Sequence, residues 1–124
     1  MEEKDPLTEV VIGAAIEVHK IMGPGLLESV YQKCMEAELR LRGCEAEAQS
    51  RIPLRYKGVD ISDDLVMDLY FPGRLVVEFK AVEKLLPVHE AQPLTYLKLS
   101  KTHVGLLINF NVPVLVNGLK RMVL

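Results

Sequence analysis

Apolar residues recur at helical spacing in the first third of the chain and gather into short extended runs in the rest. Leu7, Val10, Val11, Ala14, Val18, Ile21 and Met22 mark one face of a helix. Asp5-Pro6 ahead of them reads as an N-cap followed by proline in the first turn. Gly23-Pro24-Gly25 ends that helix, and Leu27, Val30, Tyr31, Cys34 and Leu41 give the stripe of a second, closed by Gly43. From Cys44 to Tyr56 the chain reads as extended with a break at Pro53, and Lys57-Gly58 is a turn. Strands are expected around residues 64–71 and 74–81, joined at Pro72-Gly73. Val88 to Lys101 is helical, Val104 to Phe110 is a buried strand, and Asn117-Gly118 signals a hairpin before a terminal strand from Leu119 to Leu124. The order α-α-β-β-β-α-β-β predicts one α/β domain over residues 1–124, a sandwich of helices flanking a mixed central sheet.

Polar residues inside the apolar runs carry the chemistry. Asp68 is the lone polar side chain in Leu65-Val66-Met67-Asp68-Leu69-Tyr70-Phe71. On the following strand, Glu78 and Lys80 share a face because strand side chains alternate. A carboxylate among apolar neighbours is costly unless something pairs with it. Two carboxylates about 4 Å apart repel by roughly 4 kcal/mol at an effective dielectric near 20, so without a cation one of them would keep a proton. A divalent ion turns that repulsion into ligand charge. The pattern therefore points to metal-assisted hydrolysis. Register decides whether the acids meet: a two-residue Pro72-Gly73 loop would pair Asp68 with Val77, whereas a three-residue loop pairs Asp68 with Glu78. The longer loop, or a bulge restoring that register, is expected.

Composition narrows the setting. The chain has 124 residues, 49% of them hydrophobic and 26% charged, enough for one core without disulfides. Its formal charge of −2 argues against a broadly basic surface, so any nucleic-acid contact must rest on a local patch, a metal or a partner. The longest apolar runs fall well short of a membrane span, and Met1-Glu2-Glu3-Lys4 is unlike a secretory signal. Cys34 and Cys44 fit no common zinc spacing and read as reduced packing thiols of a cytoplasmic protein.

Taken together, Gly23-Pro24-Gly25-Leu26-Leu27-Glu28-Ser29-Val30-Tyr31, Asp68, Glu78-Phe79-Lys80, Ala91-Gln92 with Thr95-Tyr96-Leu97-Lys98, and Gly105 to Phe110 resemble the PD-(D/E)XK nuclease superfamily, and more narrowly its GxxExxR family. Two departures stand out: Tyr31 occupies the position of the arginine, and Pro93 falls inside a helix. The resemblance implies a Mg²⁺- or Mn²⁺-dependent nuclease acting on nucleic acid, DNA before RNA. Asp68, Glu78 and the Phe79 backbone carbonyl would be its metal ligands. It further implies that Lys80 orients and activates the attacking water, that Glu28 is an additional acidic residue at the metal, and that Gln92 and Tyr96, on one helical face, support the lysine and the phosphate backbone.

Each residue also has a plainer reading. Glu78 and Lys80 suit a solvated strand face, Glu28 complements a helix dipole, and Gln92 with Tyr96 suits an amphipathic edge. His19 reads as a helix-end cation, His103 as a loop residue, and His89-Glu90 fails as a zinc-protease motif because residue 93 is proline. His89 lies on a face close to that of Tyr96. Lys84, Lys98, Lys101, Lys120 and Arg121 are a candidate phosphate-facing rim. The rival functions are a catalytically silent nucleic-acid-binding or assembly module that keeps the fold, and a structural subunit whose acids merely hold an ion. With so small a surface for gripping a duplex, self-association or a larger complex is an open alternative to a monomer.

Overall fold

In the computed structural model, which describes residues 5–124, the Asp5 carboxylate accepts the Leu7 amide hydrogen at 3.0 Å and starts α1 (Pro6–Met22). Gly23 ends it, and α2 (Glu28–Leu41) runs back alongside. A hairpin of β1 (Glu47–Tyr56) and β2 (Val59–Phe71) leads into β3 (Leu75–Lys80). The helix α3 (Pro87–Ser100) crosses to β4 (Val104–Asn109), and a 3₁₀ turn over Leu115–Gly118 precedes β5 (Leu119–Val123). The five strands lie in the order β1-β2-β3-β4-β5, with only β3 and β4 parallel. That single parallel pair is the one whose connection is long enough to hold a helix. The result is the mixed-sheet α/β sandwich of a restriction-endonuclease-like fold.

The sheet is covered on both faces. α1 and α2 pack Val11, Ala14, Val18, Tyr31, Met35 and Leu39 against Leu69, Val77, Phe79, Leu106, Ile108 and Phe110. On the other face α3 sets Tyr96 and Leu97 against Ile52, Met67, Val76 and Leu107. No helix of the described residues is long and apolar enough to cross a membrane. Cys34 and Cys44 are free thiols packed at the edge of the first cluster.

Several expected features shift. In α1, Ile21 is 68% exposed and Met22 is also exposed, because the helix outruns the sheet it packs on. The buried stripe of α2 is Tyr31, Met35 and Leu39, with Gln32 beside it; Leu27 and Leu41 lie at the helix ends and face solvent. β2 begins at Val59 rather than near residue 64, since the Lys57-Gly58 turn lets it pair with β1 from its first residue. The expected break at Pro53 is a register shift between Ile52 and Leu54. Asn117-Gly118 is not a two-residue hairpin turn: it closes the 3₁₀ turn, and Ile108 pairs with Leu119 across a longer connection. A Cβ at Gly118 would stand 2.1 Å from the Asn109 carbonyl oxygen, so close approach of backbone explains this glycine. α3 continues through Pro93, which forfeits only its own amide hydrogen bond to the His89 carbonyl.

Candidate active site

The loop between β2 and β3 has the expected length. Phe71 pairs with Leu75, leaving Pro72, Gly73 and Arg74 between them, and Leu69 pairs with Val77. The turn is held by the Arg74 amide on the Phe71 carbonyl at 2.8 Å, with Pro72 at its second position and Gly73 at φ 72 in the third. A type II turn requires that left-handed position. Continuing this register places Asp68 opposite Glu78.

Ordinary ladder pairing stops at Leu69, and the two acids take over. The Asp68 amide donates to Glu78 Oε1 at 2.9 Å, and the Phe79 amide donates to Asp68 Oδ2 at 2.8 Å. Each carboxylate thus takes a backbone hydrogen from the opposite strand, which props β2 and β3 apart. Met67 and Leu69 sit in clusters on opposite sheet faces although they are two residues apart, so β2 also twists at Asp68. The Phe79 amide points to β2, and a strand residue directs its carbonyl to the same side. The neighbouring Lys80 carbonyl serves β4 instead, accepting from the Phe110 amide at 2.9 Å.

The electrostatics are those of crowded acids. Glu78 is 4% exposed. Burial, then the Asp68 charge, push its carboxyl up to about 8, against the pull of the Asp68 amide and Lys80; the two carboxyl groups also share a hydrogen bond. Burial and crowding thus favour retention of a proton by the pair. The Tyr96 hydroxyl is raised by burial and by the Glu78 and Asp68 charges, so α3 brings it to the same place. Glu28 is an exposed residue overall, yet partial desolvation raises its carboxyl, with Lys80 opposing, Asp68 adding and His89 opposing again. These couplings set Glu28, Asp68, Glu78, Lys80, His89 and Tyr96 in one neighbourhood. Gln92 is exposed one turn before Tyr96, and among the described residues no hydrogen bond joins it to the acids.

Glu28 owes its position to Tyr31. That ring is fully buried and stacks on Phe110 with centroids 4.4 Å apart, while its hydroxyl donates to the Gly23 carbonyl at 2.5 Å and accepts from the Leu26 amide at 3.2 Å. Tyr31 is thus a strut for the turn that starts α2.

Two glutamines at the site escaped the sequence reading. The Gln32 amide donates to the Asp68 carbonyl at 2.9 Å and to Glu36 at 3.0 Å, and the Gln49 amide donates to Asp68 Oδ1 at 3.3 Å. Glu28, Gln32 and Glu36 follow one another at four-residue spacing, a polar stripe beside the apolar one, and that was the signal available. These residues, with Ser29, Lys33 and Gln49, wall a cleft of about 510 Å³ that opens at Asp68.

Other candidates lie elsewhere. His19 lies in the last turn of α1, and its ring also meets the Val112 carbonyl at 2.7 Å, tethering the β4–β5 connection. Lys120 is paired with Glu90, and Lys98 and Lys101 line a cleft at the far end of α3 with His103 and Leu124.

Among the described residues no three His, Cys, Asp or Glu side chains converge as a ready ligand cluster. Two carboxylates and one backbone carbonyl, all oxygen, would form the donor set at the splayed strands. Such a set suits a hard divalent cation that keeps waters of its own.

The chain matches the family model of the PD-(D/E)XK nuclease superfamily over residues 5–122, and it belongs to that superfamily. No curated protein and no solved structure matches it.

Proposed function

We propose that this protein is a Mg²⁺- or Mn²⁺-dependent nuclease that hydrolyses phosphodiester bonds in nucleic acid, DNA in preference to RNA. The observation that supports it most is the interlocked pair Asp68 and Glu78, each satisfied by a backbone hydrogen of the other strand and together crowded enough to retain a proton. Asp68, Glu78 and the Phe79 carbonyl would hold the ion, with Glu28 beside them. A divalent ion held there supplies a water of lowered pKa and offsets charge on the phosphate. Lys80 would orient the attacking water and offset negative charge on the phosphate oxygens. Tyr96 holds the lysine and the phosphate from α3, and the exposed Gln92 contacts the nucleic-acid backbone. The preference for DNA follows the superfamily likeness. Self-association, or assembly into a larger complex, would supply the grip on a duplex that one small domain lacks.

A catalytically silent binding or assembly module is the second reading. It draws on the same interlock, because both carboxylates already have backbone donors and the pair is satisfied by one proton. Cleavage assays separate the two. Single- and double-stranded DNA and matching RNA are incubated with Mn²⁺, Mg²⁺ or a chelator, for the parent, Asp68→Asn and Lys80→Ala. The nuclease reading expects metal-dependent cleavage that falls about a hundredfold or more in either variant. Ion binding without cleavage of any substrate would favour the silent module.

A further inference from the structure

We propose that Gln49 is a positioning residue for the Asp68 carboxylate, held in a left-handed backbone conformation so that its amide fixes Asp68 from the edge strand; the inference rests on the metal-site reading above. Ala48 pairs with Leu69 and Ser50 with Met67, so Gln49 stands directly opposite Asp68. Three described residues other than glycine have positive φ: Gln49 at 51, Lys57 at 49 and Lys101 at 55. Lys57 lies in the β1–β2 turn and Lys101 caps α3, where such conformations are ordinary. Gln49 lies inside a strand, where they are not.

The strain coincides with a function for the side chain. Gln49 Nε2 donates to Asp68 Oδ1 at 3.3 Å while the Phe79 amide donates to Oδ2 at 2.8 Å. Donors from the strands on either side of β2 therefore stop the carboxylate from rotating. The amide presents its nitrogen to Asp68, and each carboxylate oxygen keeps acceptor capacity for a further ligand. Gln32 completes the grip by holding the Asp68 carbonyl from α2 at 2.9 Å. Glycine suits a φ of 51 better than glutamine, so backbone geometry alone does not account for the residue present.

This separates positioning from folding in one experiment. Mn²⁺ is titrated calorimetrically into the parent, Gln49→Gly and Lys57→Gly, and thermal unfolding of the metal-free proteins is followed in parallel. Both variants place glycine, the residue best suited to a positive φ, and should melt at or above the parent temperature. Mn²⁺ affinity should fall about tenfold or more in Gln49→Gly and stay at the parent value in Lys57→Gly. Parent affinity in Gln49→Gly overturns the inference and leaves the metal site standing. A lower melting temperature together with weaker binding also overturns it, since the side chain would then be structural. If the parent binds no Mn²⁺, the metal-site reading fails and this inference falls with it.

Discussion

Burial beside Asp68 moves the Glu78 carboxyl from about 4.5 up to about 8, which ties stability and ion binding to pH through one side chain. Below about pH 4.5 the folded and unfolded chains both carry the proton, and the group costs the fold nothing. As pH rises toward about 8 the unfolded chain releases its proton while the folded one keeps it, so the metal-free protein loses stability across that window. Glu28, raised in the same direction, adds to the trend. Urea midpoints of metal-free protein between about pH 5 and 8.5 should therefore decline, and Glu78→Gln should flatten the decline. Ion binding has the opposite slope. The ion needs Glu78 ionised, so Mn²⁺ affinity should climb as pH approaches about 8 and about one proton should be released per ion bound at neutral pH.

At the scale of elements, the β2–β3 hairpin does most to build the site, and it was also the most legible. Asp68 inside an apolar run and the Pro72-Gly73 turn were enough to argue a three-residue loop, and the Phe71–Leu75 pairing has that loop. Helix and strand order could be read for the same reason: spacing of apolar residues is local information. What escaped was tertiary. The Asn117-Gly118 dipeptide looks like a hairpin turn, but its glycine answers to the Asn109 carbonyl, a neighbour no local pattern reveals. The Gln49 conformation and the buried face of Gln32 likewise depend on how β1 and α2 sit against the sheet. Two variants probe these supports. Gly118→Ala forces backbone apart and should destabilise by more than about 3 kcal/mol in denaturant titration. Tyr31→Phe removes the hydroxyl that ties Gly23 to Leu26; it should cost about 1–2 kcal/mol and loosen the turn before Glu28.

For the whole molecule, the sandwich presents one open end of the sheet, where β2 and β3 part, and surrounds it with α2 and α3. With a formal charge of −2, the chain offers little long-range attraction for a polyanion. On the proposed reading, a divalent ion at the acids would carry much of the electrostatic task. Saturating Mn²⁺ at about a hundred times its dissociation constant should stabilise the protein by about 2.7 kcal/mol, read as a higher melting temperature that Asp68→Asn abolishes. In the proposed nuclease, Asp68 and Glu78 share one divalent ion with the Phe79 carbonyl. Anomalous scattering from a crystal soaked in Mn²⁺ tests it most directly. A single manganese peak bonded to both carboxylates and that carbonyl is the predicted result; no peak between the acids, with manganese bound elsewhere or nowhere, would contradict it.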